Sequence, residues 1–158
     1  MIQVGDRIPE GSFSRMTENG PAPLTTAELF GGKKVVFFAV PGAFTPTCSN
    51  KHLPGYVRNA EAIRQQGIDT IACMSVNDVF VMDAWGRDQK AEGKVLMLAD
   101  GNAEYTRKLG LERDASKGGM GIRSQRFSMV VDDGVVKELH VEAPGEFKVS
   151  SAEATCGL

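Results

Sequence analysis

The chain has 158 residues, of which 42% are hydrophobic and 24% charged, and its net charge is −2. This is a mixture that can bury one domain's core, which sets aside disorder, and no basic field exists to hold nucleic acid or an anionic membrane. No apolar run approaches the length of a membrane span, and Met1–Phe13 lacks the basic and apolar regions of a signal peptide.

The stretch Glu18–Pro23 reads as a turn on composition. Thr25 followed by Glu28 three residues later matches a capping box, so a short helix is expected to start there and to end at Gly31–Gly32. Lys34–Val40 is a continuous apolar run of β-branched and aromatic residues, the pattern of a strand buried on both faces. Pro41–Gly42 ends it.

From about Cys48 to Gln66 the spacing of Leu53, Val57, Ala60 and Ile63 predicts a helix closed by Gly67. A second buried strand over Ile68–Ser75 leads to a helix over Asp78–Lys90, with Asn77 or Asp78 as its cap. Val95–Leu98 reads as a third strand and Ala103–Leu109 as a helix ended by Gly110. Phe127–Val131 and Val135–Val141 flank Asp133–Gly134, a strong hairpin signal. Alternating strands and helices followed by a hairpin describe an α/β domain, with a mixed central sheet flanked by helices. Ligands in such sheets bind beyond the carboxyl ends of the strands, where helices begin. Cys48 stands in that position.

The three cysteines, at positions 48, 73 and 156, are odd in number and widely spaced. They form no disulfide framework and suit a reducing, cytoplasmic compartment. Without a C-x-x-C pair, a zinc ribbon or a thioredoxin-type dithiol oxidoreductase is disfavoured. A thiol reacts as its thiolate, which a helix N-terminus favours. The approach to Cys48, Pro41-Gly-Ala-Phe-Thr45-Pro46-Thr47, is stiffened by two prolines and brings two hydroxyls close to the sulfur. This arrangement suits holding a small polar substrate in one pose. Cys73, inside an apolar strand, reads as an inert buried thiol.

Pro41, Thr45 and Cys48, in this order and spacing, resemble the active-site motif of the peroxiredoxins. The string from Val40 to Val57, together with Ser75–Arg87 and Arg126–Lys137, is similar to the type II or peroxiredoxin-5-like branch. The resemblance spans essentially the whole chain and implies a single-domain thioredoxin-like fold. It also implies a thiol peroxidase for hydrogen peroxide and small alkyl hydroperoxides that needs no metal, haem or flavin.

By the same resemblance Cys48 is the peroxidatic cysteine, which becomes a sulfenic acid. Thr45 hydrogen-bonds the thiolate and the peroxide oxygens, Pro41 walls the pocket, and Arg126 stands near the sulfur as a fixed cation. Arg123 falls outside the matching block and ranks lower. His52, four residues beyond Cys48 on one helical face, is either an electrostatic neighbour of the site or a surface or packing residue. Trp85 and Phe80 read first as core or interface aromatics; family members often form homodimers through surfaces near the active site, to which these two residues could contribute. Where relatives carry a resolving cysteine after the last strand, this chain has Ser150, and Cys156 comes six residues later. A one-cysteine cycle is therefore expected, with glutathione and glutaredoxin, or thioredoxin, as reductant. A Cys48–Cys156 disulfide is the alternative route. A peroxide sensor that reacts once without turnover is the alternative function.

Overall fold

A computed structural model describes residues 1–158 of the protein. Two strands, β1 (Ser12–Thr17) and β2 (Gly20–Thr25), open the chain, followed by α1 (Thr26–Phe30) and β3 (Lys34–Ala39). A π-helical turn over Cys48–His52 runs into α2 (Leu53–Gln65). Next come β4 (Thr70–Ser75), α3 (Val79–Asp88), β5 (Leu96–Ala99) and α4 (Glu104–Leu109). The short strands β6 (Glu112–Asp114) and β7 (Ile122–Ser124) pair only with each other, as a small hairpin. The chain finishes with β8 (Phe127–Asp132), β9 (Val135–Val141) and α5 (Ala152–Cys156).

Seven strands form one sheet in the order β2-β1-β5-β4-β3-β8-β9. Strands β3, β4 and β5 are parallel, while β8, β9 and the β1–β2 pair run antiparallel to their neighbours. The mixed sheet expected from the sequence is present.

The apolar strands divide their side chains by alternation. Val35, Phe37 and Ala39 of β3 join a core with Leu29 and Phe30 of α1 and Tyr105 of α4. Val36, Phe38 and Val40 join a second core with Leu53 and Tyr56 of α2, Trp85 of α3 and Ala152 of α5. Cys48 and Cys73 both belong to this second face. Helices therefore cover both sides, which is why the central strands carry no polar face.

The expected caps form. Thr25 accepts from the Glu28 amide while the Glu28 carboxylate accepts from the Thr25 amide. Asp78, rather than Asn77, caps α3, and Gly110 closes α4 at φ 71°. Asp133 and Gly134 take φ 48° and 79°, the paired positive values of a type I′ hairpin turn.

The turn expected over Glu18–Pro23 is shorter in the structure. Glu18–Pro23 is not all turn: residues from Gly20 onward belong to β2, with Pro21 and Pro23 inside the strand. Because β2 lies at the sheet edge, missing N–H groups on its outer side cost no ladder bonds, so prolines are tolerated there. A second feature lies in β9, where the register shifts opposite Val130 and Val131 of β8. Val131 faces Val136 and Val130 faces Glu138, which leaves Lys137 as the extra residue of a β-bulge.

Candidate active site

Register brings three distant parts of the chain together. Ala39 at the end of β3 pairs with Phe127, and Phe127 pairs with Val141. The loop after β3, the residue before β8 and the residue after β9 therefore meet at one end of the sheet. The Glu142 amide donates to the Arg126 carbonyl at 2.9 Å, extending the ladder by one bond. Phe127 belongs to the first core, so alternation turns Arg126 to the opposite face, the one on which Cys48 lies.

The loop from Pro41 to Thr47 is held at both ends. Asn77 Oδ1 accepts from the Ala43 amide at 3.0 Å and from Ser75 Oγ at 2.6 Å. Phe44 adopts φ 64°, uncommon for an aromatic residue. Helical geometry starts at Pro46, where a missing N–H costs nothing, and the Ser49 amide donates to the Thr45 carbonyl at 2.9 Å. Trp85 Nε1 donates to Ser49 Oγ at 3.0 Å and ties this first turn to α3. The π turn closes with the Leu53 amide on the Cys48 carbonyl. Such turns recur at functional sites.

Cys48 is fully buried, and Arg126 Nη2 donates to its sulfur at 3.0 Å. Arg126 Nη1 lies 2.8 Å from His52 Nδ1. A guanidinium only donates, so Nδ1 must be the acceptor and the ring proton sits on Nε2. That proton goes to the Ser150 carbonyl at 3.0 Å, which also accepts from the Tyr56 hydroxyl at 2.8 Å. Burial, and then the Arg126 charge, push the His52 pKa down to about 3. The imidazole is thus neutral at physiological pH. Rings of Phe38, Tyr56 and Phe147 pack around it, and the Phe147 face lies 5.8 Å from the Arg126 guanidinium carbon.

The structure thus brings Cys48 and Arg126 together as the sequence led us to expect, and it separates out Arg123. That guanidinium donates to the Met120 and Val76 carbonyls and braces the loop from outside. Pro41 and Thr47 border a cavity of about 300 Å³, lined also by Glu112, Gln125, Arg126 and Glu142. Thr45 differs from expectation. Its hydroxyl donates to the Gly42 carbonyl at 2.7 Å rather than to the sulfur, so its oxygen is left as an acceptor.

His52 resolves as a fully buried partner of Arg126 rather than a surface residue. Sequence reasoning missed Glu142 and gave Ser150 no role. The spacing of His52 from Cys48 was the only local signal of this network.

Neither remaining thiol contacts the sulfur by hydrogen bonding. Burial and the neighbouring Cys48 raise the Cys73 pKa, with Arg126 opposing. Burial, with Glu138 and Glu153, pushes the Cys156 pKa up to about 11. The Cys156 carbonyl is held by Gln66 Nε2 at 3.0 Å, at the far end of α2 from Cys48. Thirteen helical residues rise about 20 Å.

The Redoxin family model matches residues 3–156. The chain belongs to the peroxiredoxins. It is 49% identical to Peroxiredoxin-2B of Arabidopsis thaliana over 153 residues, covering 96% of this chain and 94% of that protein. It is equally 49% identical to the chloroplastic Peroxiredoxin-2E of Arabidopsis thaliana, over 96% of this chain and 67% of that one. The crystal structure of reduced Prx3 from Vibrio vulnificus in complex with hydrogen peroxide superposes with a TM-score of 0.94. That match has 54% identity and covers 98% of this chain and 96% of that one. As a peroxiredoxin of the type II branch, the chain is a thiol peroxidase working through a peroxidatic cysteine, on a thioredoxin-like fold.

Proposed function

We propose that Cys48 is the peroxidatic cysteine and that Arg126, Thr45 and Pro41 complete its site. The observation that carries this reading is the 3.0 Å contact to a buried sulfur from Nη2 of Arg126, which itself lines the adjoining cavity. The fixed cation favours the thiolate over the neutral thiol. The thiolate sulfur attacks one oxygen of a hydroperoxide; the S–O bond forms as the O–O bond breaks. Sulfur is oxidised to the sulfenic acid, and the departing oxygen takes a proton to leave as water or alcohol. Charge grows on that oxygen, and the guanidinium stands where it can stabilise it. Thr45 Oγ, its own proton committed to Gly42, accepts from the peroxide O–H. Pro41 limits access of water to the sulfenic acid.

A one-cysteine cycle follows for the return step, with glutathione and glutaredoxin, or thioredoxin, as donor. A disulfide needs Cα atoms within about 7 Å, and Cys156 is anchored at the opposite end of α2 from Cys48. A peroxidase assay with each donor in turn checks this, together with non-reducing peptide mapping after one equivalent of peroxide. Sustained turnover with only intermolecular or donor-linked Cys48 disulfides is expected. A dominant 48–156 link, or consumption that stops at one equivalent with both donors supplied, would sink it.

The chain is also proposed to form a homodimer across the face carrying Phe44 and Phe80, residues that are 54% and 64% exposed. Phe44 packs on the buried Trp85 of α3 with ring centroids 6.5 Å apart, which fixes the active-site loop against the helix that carries Phe80. Sedimentation should give twice the 17.0 kDa chain mass, and Phe80→Glu should return it to that mass. A wild-type monomer at tens of micromolar would contradict the assignment. Three free thiols support a reducing, cytoplasmic compartment, which fractionation of the source cells would check.

A further inference from the structure

Glu142 is a buried carboxylate, and nothing in the reaction above uses it. It carries an unusual load of hydrogen bonds. Oε2 accepts from the amides of Lys148, Val149 and Ser150 at 2.9, 2.9 and 2.8 Å, and from Ser150 Oγ at 2.7 Å. Oε1 accepts from the Lys148 amide at 2.9 Å. All these donors come from one short stretch, so the carboxylate folds residues 148–150 around itself.

Two contacts then run from this stretch to the sulfur. The Ser150 carbonyl, aimed inward by this fold, takes the Nε2 proton of His52. With that proton fixed, Nδ1 presents a lone pair to Arg126 Nη1, and Nη2 of the same guanidinium reaches Cys48. A free imidazole divides its proton between two nitrogens. If the proton moved to Nδ1, two N–H groups would face each other and the guanidinium would turn away.

We propose that Glu142 is a positioning residue, which by gathering residues 148–150 holds the Ser150 carbonyl on His52 and so keeps Arg126 aimed at Cys48. The inference rests on the reading of Arg126 as the cation of the peroxide step. It makes the segment after β9 part of the site, although no residue of that segment touches the sulfur. Burial alone would raise the Glu142 pKa, but the Ser150 hydroxyl and the three amides outweigh it and hold the carboxyl below its ordinary value. These hydrogen bonds all favour the ionised carboxylate.

The test is Glu142→Gln, which keeps size and planarity but sets an amide N–H₂ against donors. Two readouts are taken: the second-order rate of Cys48 oxidation by hydrogen peroxide, and ¹⁵N spectra of the two histidines, His52 and His140. Wild type should show His52 as a single Nε2–H tautomer from pH 5 to 8. The variant should spread the proton over both nitrogens while the ring stays neutral, because the Glu142 charge and the Ser150 carbonyl are the two influences that favour the protonated ring, and its oxidation rate should fall about tenfold. Either readout remaining at its wild-type value overturns the proposal. Should Glu142→Gln not fold, Ser150→Ala removes one donor to the carboxylate while keeping the carbonyl, and the same two signatures should move in the same direction. Arg126→Ala separates the two levels. If its peroxide step is unimpaired, the reading of Arg126 fails; if only Glu142→Gln is unimpaired, the reading stands and this inference falls.

Discussion

Replacing Cys48 with serine is expected to reduce peroxide consumption to the uncatalysed rate while leaving the fold in place. The alcohol is not ionised at neutral pH and cannot form a sulfenic acid, so the reaction loses its nucleophile and its intermediate together. Serine is close in volume, and Arg126 Nη2, now 3.0 Å from the sulfur, can donate to the new oxygen instead. Circular dichroism should therefore be unchanged. Arg126→Ala removes the cation and keeps the nucleophile. It should lower the rate of Cys48 oxidation by about 10²- to 10³-fold, the range seen when one oxyanion donor is deleted. The order of the two effects is itself a check: a Cys48→Ser protein that still turns over peroxide would move the chemistry to Cys73 or Cys156.

Stability should fall steeply in acid, and His52 is the reason. Its folded pKa is about 3 against an ordinary 6.5. Between those values the unfolded chain binds a proton that the folded protein refuses. Stability therefore decreases as pH drops from about 6.5 toward 3, with a slope of up to about 1.4 kcal/mol per unit. Glu142 acts in the same direction at lower pH, because its depressed carboxyl supports the fold until it is protonated. Urea unfolding at pH 6.5 and pH 4.5 measures the effect, and His52→Gln, which cannot take the proton, is the comparison. Wild type should lose about 2–3 kcal/mol more than the variant over that interval, a sizeable share of a marginal stability. Equal losses in both proteins would show that the imidazole is not held neutral.

Much of this site is legible in the amino-acid sequence. The run Lys34–Val40 reads as a strand covered on both faces and Asp133–Gly134 as a tight hairpin, and both form. Those two features fix the relation of Cys48 to Arg126, because β3 and β8 are neighbours and alternation turns Arg126 toward α2. The small β6–β7 hairpin stayed hidden because its strands have three residues each and bury little apolar surface. Strand β2 stayed hidden because two prolines in six residues look like a loop unless the strand is at an edge. Ser150, Glu142 and α5 were invisible for a different reason. The bonds that tie Ser150 and Thr155 to His52 and Tyr56 cross 94 to 99 positions, those of Glu142 join polar residues without periodicity, and no local pattern records such partners.

The spare residue at Lys137 has a consequence for which side of the sheet the end of β9 presents. Val136 joins the first core, and so do Leu139 and Val141. Residues three apart share a face of a strand only if one between them is left out of the alternation. Counted without the bulge, Glu142 would fall on the same side as Val136, buried in hydrocarbon and away from Ser150. Counted with it, the carboxylate emerges on the side of Cys48. The parity of the last strand, set by one lysine at the far end of the hairpin, decides whether the enzyme has a carboxylate behind its arginine at all.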